Sequence, residues 1–332
     1  MVTTNKTFPE SASPKTILVT GASGQLGVEL VYNLRQKYGS NQVLATDIGE
    51  NTLLKEKGPF EWLDVLDKKR LSELISHYQI VEIYHLAAIL SANGEKNISL
   101  AWRLNMNGLL NVLETARELQ VQRVFWPSTI AVFGPDAPRK NTPQDVPLHP
   151  TTVYGISKVA GEHWCAYYNR RFGVDVRSIR YPGLIGYRSQ PGGGTTDYAV
   201  DLFYSAIKGK PFVSPVDRNT RLPMMYMDDA VKAAYDIMNA DSDQIRIRTG
   251  YNVGAMSFTP KELADAVKQI IPSFEIQYVP DERDQIAANW PDSLDDSAAR
   301  EDWGWNPKFG LEFMVSDIIA NLSDVFSSSR EN

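Results

Sequence analysis

The chain has 332 residues, a formal net charge of −6 and 43% hydrophobic residues. That length exceeds one ordinary core, so one large domain with an appended smaller lobe is expected. The acidic balance, without a long run of Lys and Arg, argues against a nucleic-acid surface, and no apolar stretch is long enough for a membrane span. Cys165 is the only cysteine and the four histidines are scattered, so neither an internal disulfide nor a metal site is expected. Residues 1–14, rich in Ser, Thr and Pro, read as a flexible tail without a secretory signal.

The apolar run Ile17-Leu18-Val19-Thr20 meets Gly21, Gly24 and Gly27, and helical periodicity follows over 28–37. Strand, tight turn and helix in that order form a dinucleotide-binding turn. One glycine permits the sharp turn, one admits a pyrophosphate to the backbone, and one lets the helix sit close on the strand. The helix start, with Gln25 and Leu26, offers unpaired N–H groups to phosphates. A second run, 42–47, ends in Asp47 about 20 residues downstream, where an acid would take the ribose hydroxyls. Its charge would repel a 2′-phosphate, so NAD is expected rather than NADP.

Residues 59–64 read as a short strand ending in Asp64, placed to contact the adenine amino group. A helix over 69–78 and a strand over 80–85 follow, and this alternation predicts βαβ units with a parallel sheet. Leu86, Ala87 and Ala88 then leave the strand's carboxyl end on small residues, where open α/β sheets bind ligands. Segment 102–120 has helical spacing interrupted by Asn105 and Asn107. These are either surface residues or polar groups that order the crevice loops. After the strand at 121–126, Ser128 and Thr129 set two hydroxyls at its carboxyl end.

Five prolines mark 135–150 as loop, and a helix over 152–172 carries Tyr154 and Lys158. At i, i+4 both side chains emerge on one face, where the ammonium would stabilise a phenolate against its usual pKa near ~10. A strand over 175–181 stops at Pro182, and beyond Gly183 the rhythm becomes irregular. Helices over 228–240, 261–271 and 311–325 and a strand over 274–279 complete the chain. The expected organisation is α/β: a Rossmann-type doubly wound parallel sheet of 15–183 plus about 224–255, with a smaller mixed α/β carboxyl-terminal substrate lobe of about 184–223 plus 256–325.

Taken together, the glycine turn, the segment Ser128-Thr129-Ile130-Ala131-Val132-Phe133-Gly134 and Tyr154-Gly155-Ile156-Ser157-Lys158 resemble the extended short-chain dehydrogenases/reductases, the family of nucleotide-sugar epimerases. Thr129 stands where that family usually has serine. Within it, the chain is most similar to the NAD-dependent L-threonine 3-dehydrogenases. Four stretches carry this: Gln190-Pro191-Gly192-Gly193-Gly194-Thr195-Thr196-Asp197-Tyr198, Arg221-Leu222-Pro223-Met224-Met225-Tyr226, Ala255-Met256-Ser257-Phe258-Thr259-Pro260 and Trp290-Pro291-Asp292-Ser293-Leu294-Asp295-Asp296. Epimerases tend to pair Arg with Asp near the nucleotide, whereas Arg221 precedes Leu222.

The resemblance implies oxidation of the threonine β-hydroxyl to 2-amino-3-oxobutanoate, the first step of threonine degradation, with NAD as hydride acceptor. Tyr154 would be the general base, Thr129 would hold the reacting oxygen, and Lys158 would lower the tyrosine pKa and bind the nicotinamide ribose. Cofactor contacts are expected at Gly21, Gly24, Gln25, Leu26, Asp47, Asp64, Val65, Leu86, Ala87, Ala88, Asn105, Tyr154, Lys158, Tyr181, Pro182, Leu184 and Ile185. Substrate contacts are expected at Ser91, Ser128, Thr129, Tyr154, Gly194, Thr195 and Trp290, with the N–H groups of Gly193 and Gly194 and the Thr195 hydroxyl presented to the carboxylate and Ser91 assisting. Asp197 reads equally as a partner for the substrate ammonium or as a helix cap, and Trp290 as a pocket wall or a core residue. The alternatives are a nucleotide-sugar epimerase or dehydratase, and an NAD-binding regulatory protein without activity. The resemblance also implies a homodimer through the helices at 102–120 and 152–172, and a mitochondrial location in a eukaryote or a cytoplasmic one in a bacterium.

Overall fold

The computed structural model describes residues 15–189 and 192–328; the expected tail at 1–14, and Gln190 and Pro191, lie outside the described residues. Six strands form one parallel sheet in the spatial order Phe60–Trp62, Val43–Asp47, Ile17–Thr20, Glu82–His85, Arg123–Phe125, Val176–Arg177. Ile17 pairs with Val43 on one side and Glu82 on the other. The strand order therefore reverses beside Ile17–Thr20, and a crevice opens above the carboxyl ends at that switch point.

Helix Gln25–Tyr38 and helix Met227–Asn239 cover one face of the sheet, joining Ile17, Val19, Val43 and Phe125 to Leu30, Ala233 and Ile237 in one apolar layer. Helices Lys68–His77, Gly108–Glu118 and Val153–Phe172 cover the other face around Leu18, Leu44, Ile83 and Val124. The central strands Ile17–Thr20 and Val43–Asp47 are covered on both sides, which is why they read as nearly continuous apolar runs rather than alternating ones.

A third layer belongs to the carboxyl-terminal lobe, where helices Tyr198–Ile207, Pro260–Ile270 and Leu311–Ser328 pack around Phe203, Leu222, Val267 and Ile318. Strand Leu222–Tyr226 ties the lobe to the large domain, pairing in parallel with Gly183–Ile185 and antiparallel with Met256–Phe258. Ala299, Trp303 and Trp305 lie within the stretch expected in the lobe but pack into the layer of the first sheet face. The Trp303 and Trp305 rings complete the apolar cover around Tyr251, a long-range contact with no local sequence signature. Among the described residues, no helix is long and apolar enough to cross a membrane.

Candidate active site

The first turn is built as its glycines require. Gly21 has φ +66°, and a Cβ there would lie 2.6 Å from the Ala87 nitrogen. At Gly27 a Cβ would lie 2.4 Å from the Gly21 carbonyl oxygen, so helix and strand approach at a distance only glycine permits. Gly24 differs, because its Cβ would meet only the Gly21 oxygen, at 3.4 Å, and otherwise project into open space. Beside it the buried Ser23 hydroxyl and Gln25 side-chain amide have no hydrogen-bond partner. Buried polar groups are normally paired. Two unpaired ones at a helix N-terminus, with room over Gly24, fit the phosphates of a dinucleotide.

A cavity of about 510 Å³ runs along the switch point, from Asp47, Asp64 and Val65 at one end to Tyr154, Thr195 and Trp290 at the other. The glycine turn with Gln25 and Leu26, Leu86 with the small residues Ala87 and Ala88, and the segment Tyr181, Pro182, Leu184 form its walls. Asp47 accepts hydrogen bonds from Ser23 N at 2.9 Å and Ile48 N at 2.7 Å, which hold its carboxylate at the cavity edge. Ser23, Ile48, Leu90 and Thr196 also line the cavity but were not expected from the sequence. The adjacency of Ser23 to Gly24 was the available signal for the first.

Two expected cofactor contacts lie elsewhere. Ile185 is fully buried in the carboxyl-terminal core, because strand alternation turns it away from Leu184. Asn105 does not line the cavity; its helix passes through a π-helical turn, Arg103–Asn107, that directs the side chain onto the neighbouring loop. There it accepts from Ile89 N at 2.8 Å and donates to Ile89 O at 3.1 Å. Asn105 therefore orders the crevice loop, the second of its two sequence readings.

Helix Val153–Phe172 starts at Thr152, whose hydroxyl accepts from Gly155 N at 3.0 Å. That cap fixes the first turn, which presents Tyr154 to the cavity beside Thr129. Burial pushes the Tyr154 phenol up to about 12, against a hydrogen bond with Thr129 that lowers it. One turn on, burial pushes the Lys158 ammonium down to about 7, opposed by Cys165 and Glu162. Lys158 Nζ donates to Pro127 O at 2.6 Å and lies 5.6 Å from the centre of the Tyr154 ring. Burial thus disfavours the charged form of both groups, and at Tyr154 the hydrogen bond with Thr129 works against it.

At the lobe side, Ser91 and Thr195 meet across 104 residues of chain, their hydroxyls 2.9 Å apart and both buried. The expected N–H donors beside them are engaged: Gly193 N and Gly194 N each donate to Asp197 Oδ2 at 2.8 Å. Asp197 thus caps the turn that opens the next helix, and burial raises its carboxyl. Ser128 borders the cavity, but its hydroxyl donates to Glu162 at 2.6 Å instead of facing a substrate, because Glu162 is fully buried and needs donors. Trp290 satisfies both of its readings, since it lines the cavity and belongs to the lobe's apolar core.

A parallel sheet of this order, a glycine turn at its switch point, and a hydroxyl, a phenol and an amine converging beyond it define a dinucleotide-dependent enzyme of the α/β class. The chain belongs to the NAD dependent epimerase/dehydratase family, whose model matches residues 17–254. It is 48% identical over 321 residues to an uncharacterized epimerase/dehydratase of Staphylococcus aureus (strain USA300), covering 96% of this chain and 100% of the relative. Two solved structures are also similar. A partial-consensus L-threonine 3-dehydrogenase is 50% identical with a TM-score of 0.92, over 93% of this chain and 99% of that one. The holo form of an L-threonine dehydrogenase from Cupriavidus necator is 49% identical with a TM-score of 0.90, over 92% and 99%.

Proposed function

We propose that this protein is an L-threonine 3-dehydrogenase that uses NAD. The observation that carries the reading is the convergence of Thr129, Tyr154 and Lys158 with the Ser91–Thr195 hydroxyl pair in one cavity whose other end suits a dinucleotide. Bound NAD would supply the hydride acceptor. Ser23, Gly24 and Gln25 would hold its phosphates and Asp47 its adenosine ribose, while Pro182 and Leu184 would pack against its nicotinamide.

Tyr154 takes the proton of the threonine β-hydroxyl, and Thr129 holds the same oxygen. Lys158 binds the nicotinamide ribose. The Ser91 and Thr195 hydroxyls share one hydrogen bond, so one of their two protons is left to donate to the substrate carboxylate, a task that the engaged N–H groups of Gly193 and Gly194 do not take. Trp290 closes the pocket over the aliphatic part.

A sugar nucleotide would need cations for its pyrophosphate, and Lys158 is the only cationic side chain among the described cavity residues. Arg221 does not serve, because its guanidinium donates to Ser257 O at 2.8 Å and to Glu262. The assembly is a homodimer. Ile98, Leu100 and Trp102 stand exposed together with Ile156, Trp164 and Tyr167 on helix Val153–Phe172, an apolar surface of the kind partners cover.

A scan of amino acids and sugar nucleotides for NADH formation tests the activity: threonine alone should reduce NAD. Turnover of a sugar nucleotide without threonine oxidation would overturn it.

A further inference from the structure

Tyr154, Lys158 and Glu162 follow one another at i, i+4 and i+8 on helix Val153–Phe172 and share its inner face. The first two belong to the proposed chemistry, but Glu162 does not reach the cavity. It is fully buried, and a carboxylate taken out of water persists only when charge and hydrogen bonds compensate it. Arg180 supplies both: its Nε donates to Glu162 Oε1 and its Nη2 to Oε2, each at 2.8 Å. The fork is completed from the other side, where Arg180 Nη1 donates to Gln144 O at 3.0 Å and Asn252 Oδ1 at 3.2 Å. Apolar residues would fill the same volume without the desolvation cost, so the pair calls for an explanation beyond stability.

Its one further partner gives that explanation. Ser128 Oγ donates to Glu162 Oε1 at 2.6 Å. Ser128 sits between Pro127, whose carbonyl receives Lys158 Nζ, and Thr129, which hydrogen-bonds Tyr154. We propose that Glu162 is a positioning residue for the Tyr154–Lys158 site, anchoring segment 127–129 through Ser128 and setting a carboxylate one helical turn behind Lys158.

Two separable effects follow. The anchor fixes the oxygen atoms that orient the phenol and the amine. The charge favours the protonated form of Lys158, which burial otherwise disfavours. The other groups facing Lys158 are Tyr154 and Cys165 on the same helix, His85 from the sheet, and the Trp126 ring 4.3 Å from Nζ. None of them is a permanent anion at neutral pH.

The proposal deepens the dehydrogenase reading, so its test includes a readout independent of turnover. Lys158 is titrated by NMR in the full-length protein labelled at lysine Cε, the signal being assigned by its loss in Lys158→Met. In Glu162→Gln, which keeps an acceptor for Ser128 but removes the charge, the titration midpoint should fall by about one pH unit. The alkaline limb of kcat for threonine should move with it. If that variant fails to fold because Arg180 is left unpaired, Glu162→Gln/Arg180→Gln leaves no lone charge, and its midpoint should still fall, by less than one unit, because the cation removed with Glu162 acts on Lys158 less strongly than the anion does. Ser128→Ala keeps the ion pair and removes the anchor. It should lower kcat on the order of tenfold with KM and the pH limb little changed. An unmoved midpoint in the folded Gln variant would overturn the charge effect. A Ser128→Ala enzyme with raised KM and unchanged kcat would overturn the anchor, since Ser128 would then be a direct substrate contact. If wild type forms no NADH from threonine while the midpoint shifts as stated, the dehydrogenase reading fails and Glu162 keeps its place.

Discussion

Gly24 and Gly27 lie three residues apart in one turn, yet methyl groups at the two positions should do opposite things. A Cβ at Gly27 would stand 2.4 Å from the Gly21 oxygen and 2.8 Å from Ala22 Cα. The shorter distance falls about 1 Å short of ordinary contact, and both atoms are backbone, so helix Gln25–Tyr38 must move off its strand. Overpacking of this kind costs about 1–3 kcal/mol, or about 1–2 °C of Tm per kcal/mol for a chain of this size. Gly24 has φ −72° and ψ 169°, which alanine adopts without strain, and its Cβ would meet one atom at 3.4 Å. Folding stability should therefore hold or rise by up to about 1 kcal/mol through the unfolded chain. The methyl would occupy the approach to the unpaired Ser23 and Gln25 groups, and NAD should bind about tenfold or more weakly, equal to about 1.4 kcal/mol. Thermal melts without ligand and calorimetric NAD titrations of Gly24→Ala and Gly27→Ala separate the two effects. Should Gly24→Ala melt as low as Gly27→Ala while binding NAD normally, the assignment of phosphate seat and packing contact is wrong.

Tyr154→Phe should lower threonine oxidation on the order of a thousandfold while NAD affinity stays near wild type, as stopped-flow NADH formation and titration will show. Asp47→Ala should weaken NAD and narrow its advantage over NADP, measured as the ratio of the two dissociation constants, because the repulsion of a 2′-phosphate is removed. Lys158 predicts a pH dependence of stability. Burial moves its pKa from 10.5 in the unfolded chain to about 7 in the fold, so between those values the unfolded state holds the extra proton. Stability should then rise with pH from about 7 toward 10 more steeply than in Lys158→Met, a difference read from urea midpoints across that range. Trp102→Glu should shift the assembly toward monomer in light scattering, since it places a charge in the exposed apolar surface.

Much of the site was legible because its signals are local. The glycine turn, Asp47, the small residues after the fourth strand of the sheet and the Tyr154–Lys158 spacing each lie within one strand–loop–helix unit, where period and turn chemistry dictate direction. Ile185 was misplaced by one step of strand alternation. Asn105 was expected at the cofactor because a helical wheel does not foresee a π-helical turn. Ser128 was assigned to substrate because its partner Glu162, eight residues beyond Tyr154, reads as an ordinary helical acid until Arg180 is brought against it.

The chain's order of strands, glycines and helices by itself determined the parallel sheet, the dinucleotide turn and the residues able to exchange a proton, since these depend on neighbours within a few positions. Tertiary structure alone decided which groups are free to act. It joined Ser91 to Thr195 across 104 residues, engaged the N–H groups of Gly193 and Gly194 with Asp197, and buried Tyr154 and Lys158 so that desolvation disfavours the charged form of each. Solvation and long-range hydrogen bonding are properties of the packed molecule, and no local run of residues encodes them.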